Sequence, residues 1–156
     1  MGGRKKSLVR LTATNLCVNL FPANPNRNDM KNHALKVFRQ PPEHLNCAQS
    51  VLHAWREVTG DTSIALAGLK PLGGGRAPDG LCGALHAACL AAPKQAEALK
   101  QNFAKRLGSL YCKELRAAKV HPCETCVGHA AELLEFETKE DTGRGAVVQI
   151  LTRRHE

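Results

Sequence analysis

The stretch Leu72-Gly73-Gly74-Gly75-Arg76-Ala77-Pro78-Asp79-Gly80-Leu81-Cys82-Gly83-Ala84-Leu85-His86-Ala87-Ala88-Cys89 decides how the chain is read. A triple glycine runs through a Pro-Asp-Gly turn into a run of small apolar residues, with a cysteine in the first turn of the helix they predict. Such a loop before a helix invites a phosphate-binding reading. That reading fails, because no Gly-Lys-Ser/Thr follows the glycines and no strand precedes them.

The composition around this stretch agrees with helices packed at close range. Aromatic residues are only 4% of the 156, so the core must be aliphatic. No apolar run approaches the roughly 20 residues of a membrane span. The formal charge of +8 is concentrated at one end. Arg4, Lys5, Lys6, Arg10, Arg27, Lys31, Lys36 and Arg39 face a single acid, Asp29, whereas the rest of the chain is nearly balanced. The charge therefore describes a basic arm and not a specific nucleic-acid footprint.

Residues 1–28 read as a basic, disordered extension, ending in turn chemistry from Pro22 to Asn28. The interrupted apolar region Ser7–Phe21 makes a poor signal peptide. Residues 29–138 carry the helical patterns of one all-α domain, a compact bundle of five or six short helices. One runs from the cap Asp29 to Arg39 and is ended by Pro41-Pro42, and a second from the cap Asn46 through Cys47 to Thr59. The glycine loop feeds a third, Leu81 to Ala92. Lys94 to Leu107 gives a fourth, Ser109 caps a fifth containing Cys112, and Pro122 opens a sixth that reaches Thr138. Residues 139–156 form a tail whose one apolar patch, Ala146–Leu151, reads as a lone strand or as disorder.

Seven cysteines are many for such a chain. An odd number in a helical, aromatic-poor sequence argues for reactive or metal-binding thiols in a reducing compartment, and so for a cytoplasmic protein. Four of them, Cys47, Cys82, Cys112 and Cys123, fall in the first turn of an expected helix. Unpaired N–H groups and the positive end of the helix dipole favour thiolate there. Cys126 forms a Cys-x-x-Cys with Cys123 on one helical face, and His86 lies one turn after Cys82; both are weaker ligand candidates. Cys89, about 10 Å along the axis from Cys82, is too far for a disulfide with it and reads as packing. No His follows the Cys-x-x-Cys, so there is no covalent haem signature.

With these residues in place the chain resembles the C_GCAxxG_C_C family, redox-active proteins with four cysteines and a Cys-Gly-Ala-x-x-Gly motif. The matching runs are Asn46-Cys47-Ala48-Gln49-Ser50-Val51-Leu52, then Gly73-Gly74-Gly75 through Cys82-Gly83-Ala84, then Phe103 with Gly108 through Leu115, and Cys123 with Val127 and Ala130 through Leu134. They span about residues 31–136. The resemblance implies that Cys47, Cys82, Cys112 and Cys123 form the family's site. It extends to the corresponding module of split-Soret cytochromes, without their haem attachment. Ala87 stands where the family motif closes on glycine.

The sequence supports a small redox-active protein, and it leaves open whether it is an enzyme. The first expectation is that Cys47, Cys82, Cys112 and Cys123 bind an iron–sulfur cluster or another thiophilic metal for electron transfer. The second is cofactor-free thiol/disulfide oxidoreduction by the same cysteines. The third is a helical interaction domain with buried cysteines. A redox partner protein is expected, and a homodimer is compatible with the sequence.

Overall fold

Six α-helices follow one another, joined by loops and three short 3-10 segments: α1 (Asp29–Val37), α2 (Cys47–Thr59), α3 (Gly83–Ala91), α4 (Ala96–Leu107), α5 (Cys112–Ala117) and α6 (Cys123–Thr152). The structure is a computed structural model and describes residues 29–119 and 121–152, with side chains to residue 140. Among these residues there is no strand, only isolated bridges pairing Phe38 with Leu45 and Leu81 with Tyr111. The chain is all-α, as its periodicity predicts. The expected basic arm, residues 1–28, lies outside the described residues.

The helix α6 forms the axis, packing against α1, α2, α3 and α4. Val127, Ala130, Ala131, Leu133 and Leu134 form its buried face. Around it Ala34, Ala48, Ala54, Ala84, Ala87 and Ala88 are all fully buried, so methyl-sized side chains let neighbouring helices approach. Larger side chains (Met30, Leu52, Leu85, Leu99 and Phe103) fill the spaces between them. Polar ties fix how helices dock on α6. Glu132 accepts ion pairs from Lys31 of α1 and Arg106 of α4. The buried Glu135 accepts the Met30 N–H at the start of α1.

Three expectations are corrected. First, α6 does not stop near Thr138; it is 30 residues long and runs to Thr152, through the patch expected as a strand or disorder. Gly143 and Gly145 suggested a stop, but an interior glycine costs a helix only about 1 kcal/mol relative to alanine and does not forbid it. Second, Ser109 does not cap α5, whose N-cap position is Tyr111 with no side-chain cap bond. Its hydroxyl instead accepts the Tyr111 N–H and bonds the Glu114 carboxylate, shaping the entry to α5. Third, α3 starts at Gly83 and not at Leu81, so that Cys82 is its N-cap residue and stands just before the first turn.

Candidate thiol site

Asn46 is where this site begins. Its side-chain oxygen accepts the Gln49 N–H at 2.9 Å, and the Gln49 side chain accepts the Asn46 N–H at 3.2 Å, a reciprocal capping box. Its amide nitrogen donates to the carbonyls of Leu69 and Lys70, at 3.2 and 2.8 Å. One side chain thus starts α2 and ties the segment leading into the glycine loop against it. Cys47 is the first residue of α2 and comes to lie under Gly74 of that loop.

The other cysteines are set by equally local rules. Cys82 is the N-cap of α3, and its backbone N–H donates to the Leu110 carbonyl at 2.9 Å. The bridge between Leu81 and Tyr111 thereby holds the start of α3 beside the start of α5, where Cys112 is the first residue. Cys123 opens α6 just after Pro122, and Cys126 follows one turn later on the same face. Gly83 explains the glycine of the motif. A Cβ there would lie 2.8 Å from the Cys47 sulfur and 2.9 Å from the Leu72 carbonyl oxygen. Ala87, by contrast, is fully buried in the core, where its methyl is accommodated.

These elements bring Cys47, Cys82, Cys112, Cys123 and Cys126 around one cavity of about 10 Å³, lined also by Gly74, Leu115, Arg116 and His121. That is room for about one water-sized species. Cys126 therefore sits with the other four. Its signal was the three-residue spacing from Cys123, and Arg116, four residues after Cys112 on α5, had the same kind of signal. His86 does not line the cavity, although it follows Cys82 by one turn. Cys89 packs against the core beside the Ala96 carbonyl. Cys17 lies outside the described residues. All six described cysteines are free thiols, and no group of three or more His, Cys, Asp or Glu side chains among the described residues is arranged to hold a metal ion.

Proton affinity in the cavity departs from what helix ends alone predict. Burial pushes the Cys47 thiol up, the Gly74 N–H pulls it back, and Cys82 and Cys123 add repulsion. Cys112 is also raised, first by burial and then by the charges of Cys82, Cys123 and Cys47. Cys82 is raised most strongly, because it holds the proton of a hydrogen bond to Cys126, with burial adding to this. The N–H groups of Leu85 and Ala84 face it and oppose the shift without closing a cap hydrogen bond. Cys126, which receives that bond, is lowered. Desolvation and repulsion thus outweigh the helix ends at Cys47 and Cys112, and the hydrogen bond to Cys126 with desolvation does so at Cys82. Of this pair Cys126 therefore gives up its proton more readily, because Cys82 donates to it.

The family described as "Putative redox-active protein (C_GCAxxG_C_C)" matches residues 45–136, more than half of the chain and the segment that holds all five cavity cysteines. No curated protein and no solved structure matches the chain.

Proposed function

The chain belongs to the C_GCAxxG_C_C family of redox-active proteins, and from that premise we propose that it works by dithiol/disulfide exchange within the five-cysteine cavity. In each cycle two thiols lose two electrons and two protons as one S–S bond forms, and a disulfide partner is reduced to two thiols. The observation that carries this reading is the convergence of five cysteines from four elements on a space no larger than a water. Cys82 and Cys126 are in hydrogen-bond contact, Cys82 as donor, and the bond lowers the proton affinity of Cys126, which favours the thiolate that exchange uses.

A second reading, a thiophilic metal or an iron–sulfur cluster on Cys47, Cys82, Cys112 and Cys123, is favoured by a different observation. These four residues stand at helix starts, and the charges of Cys82 and Cys123 raise the proton affinity of Cys47 and Cys112, a repulsion that a cation would relieve. The donor set suits a soft metal. Since no group of three or more such side chains among the described residues is arranged to hold an ion as it stands, binding a metal would require these side chains to rearrange. Bound there, the metal would supply one-electron chemistry or a structural clamp, with the protein holding four thiolates out of water.

Anaerobic purification followed by elemental analysis, an absorption spectrum and thiol counting separates the two. The expected result is metal-free, colourless protein that loses thiols in pairs on mild oxidation, with peptide mapping recovering a Cys82–Cys126 disulfide. Stoichiometric metal with visible absorption would instead establish the second reading. Thiols that never oxidise in pairs would sink the first.

A further inference from the structure

Cys112 lines two spaces at once. Inward it faces the thiol cavity; outward it borders an open groove of about 470 Å³ walled by Gly74, Gly75, Gly80, Lys113 and Arg116. That volume lies within the range of small-molecule sites, roughly 300–1,000 Å³. The glycines keep the groove open. All three have positive φ, Gly74 and Gly80 have free space where a Cβ would stand, and a Cβ on Gly75 would come within 3.2 Å of the Cys112 Cβ and 3.4 Å of its sulfur.

The charge of this groove is one-sided. The two long side chains in its wall, Lys113 and Arg116, are cationic and exposed, and no Asp or Glu lines it. Glu114, the acid next to Lys113, is engaged by Ser109. A second groove, of about 350 Å³ on the Cys123 side, differs in this respect: there Glu124 opposes Arg39 and Arg116. Of these two grooves among the described residues, the one at Cys112 pairs a cavity thiol with a positive wall that no acid lines.

We infer that the glycine-walled groove binds a low-molecular-weight disulfide bearing carboxylates, and that Cys112 is the thiol that attacks it. The inference rests on the dithiol reading above and adds the substrate class and the point of entry. The Cys112 thiolate attacks one sulfur of R–S–S–R; that S–S bond breaks, a Cys112–S–S–R bond forms, and RS⁻ leaves and takes up the proton that Cys112 gave up. Cys82, held beside α5 by the Leu81–Tyr111 bridge, then attacks the Cys112 sulfur: the Cys112–SR bond breaks, a Cys82–Cys112 bond forms, and the second RS⁻ leaves and takes up the proton that Cys82 gave up. In a final exchange Cys126 attacks the Cys82 sulfur, the Cys82–Cys112 bond breaks as the Cys82–Cys126 bond forms, and Cys112 takes up the proton that Cys126 gave up. In sum, two protein thiols are oxidised and one disulfide becomes two thiols.

The test uses the reduced full chain and three small disulfides: dithiodiglycolate (anionic), 2-hydroxyethyl disulfide (neutral) and cystamine (cationic). Released thiol is timed for each. Dithiodiglycolate is expected to react about tenfold faster than cystamine, the scale of two exposed charge contacts. The double variant Lys113→Glu/Arg116→Glu should abolish or reverse that ratio. Lys94→Glu/Lys105→Glu makes the same change in net charge at exposed positions outside both grooves and should preserve it. In a Cys82→Ser chain the mixed disulfide should accumulate on Cys112, as read by peptide mass. A ratio that survives the groove variant, or falls equally in the control, overturns the groove assignment and leaves the dithiol reading intact. If none of the three disulfides oxidises thiols in pairs, the dithiol reading fails and the inference fails with it.

Discussion

A methyl group at position 83 would lie 2.8 Å from the Cys47 sulfur and 2.9 Å from the Leu72 carbonyl oxygen, so something must shift to admit it. The Cys47 sulfur could rotate away from it, but the Leu72 carbonyl is backbone and can yield only if the loop shifts. Gly83→Ala is therefore expected to cost about 1–3 kcal/mol, the range for overpacking, in a urea titration, and to speed alkylation of Cys47 as the loop loosens. An unchanged urea midpoint would show that the loop yields freely. The thiols supply a second prediction at this scale. Cys47, Cys82 and Cys112 bind their protons more tightly when folded than the ordinary thiol value of 9.0, so the stability they contribute is complete below that pH and is lost as pH rises past it. Cys126 is shifted the other way; its contribution is present at alkaline pH and disappears as pH falls through its lowered value. The raised group outnumbers it, so the reduced protein should lose stability above about pH 9. Removing the donor with Cys82→Ala should move the first step of the thiolate ultraviolet titration upward, toward the ordinary thiol value. A first step that stays in place would mean that Cys126 owes its acidity to something other than Cys82.

At the scale of the element, α2 and the loop over it stand or fall together through Asn46. Two different functions meet in that side chain: the oxygen caps the helix, and the nitrogen holds the carbonyls of Leu69 and Lys70. Losing the cap costs about 1 kcal/mol. Losing the two bonds to the loop adds about 1 kcal/mol each at typical net values. Asn46→Ala should thus destabilise the chain by about 2–3 kcal/mol, whereas Asn46→Asp keeps the oxygen acceptor and should lose only the part owed to the loop. Equal destabilisation by the two variants would mean that the cap contributes nothing. This element was legible in advance, because Asn46 with Gln49 three residues later is a recognisable capping box. The start of α5 was not. Ser109 has the chemistry of a cap, yet its hydroxyl is drawn to Glu114 and the Tyr111 N–H, so the helix starts beyond it. A side chain with two competing local partners cannot be assigned from spacing alone.

Across the whole molecule, what could be read in advance and what could not divide along a physical line. Helical periodicity and the alanines gave the all-α class, and the places of Cys47, Cys82, Cys112 and Cys123 near helix starts singled out four residues that do line one cavity. Both readings depend on local geometry. The full length of α6 was hidden by Gly143 and Gly145, whose local preference is overridden along the continuous helix. The direction of the thiol shifts was hidden because desolvation and repulsion depend on which chain segments meet, something no local pattern records. The same long-range closure leads to a prediction about the molecule as a unit. A Cys82–Cys126 disulfide would join the start of α3 to α6 across a loop of about 45 residues, and the chain-entropy relation gives about 4 kcal/mol of stabilisation for such a loop when the native geometry is unstrained. Reduced and mildly oxidised protein should therefore separate clearly in urea, with the oxidised form unfolding at the higher concentration and the two converging once reductant is added. In Cys126→Ser the gap should shrink, since any remaining pair must draw on Cys47, Cys112 or Cys123. Oxidised protein that unfolds at or below the reduced midpoint would mean that forming the bond strains the helix starts by as much as the shorter unfolded loop stabilises them. The cavity would then be built to keep its thiols apart, as a metal-binding site does.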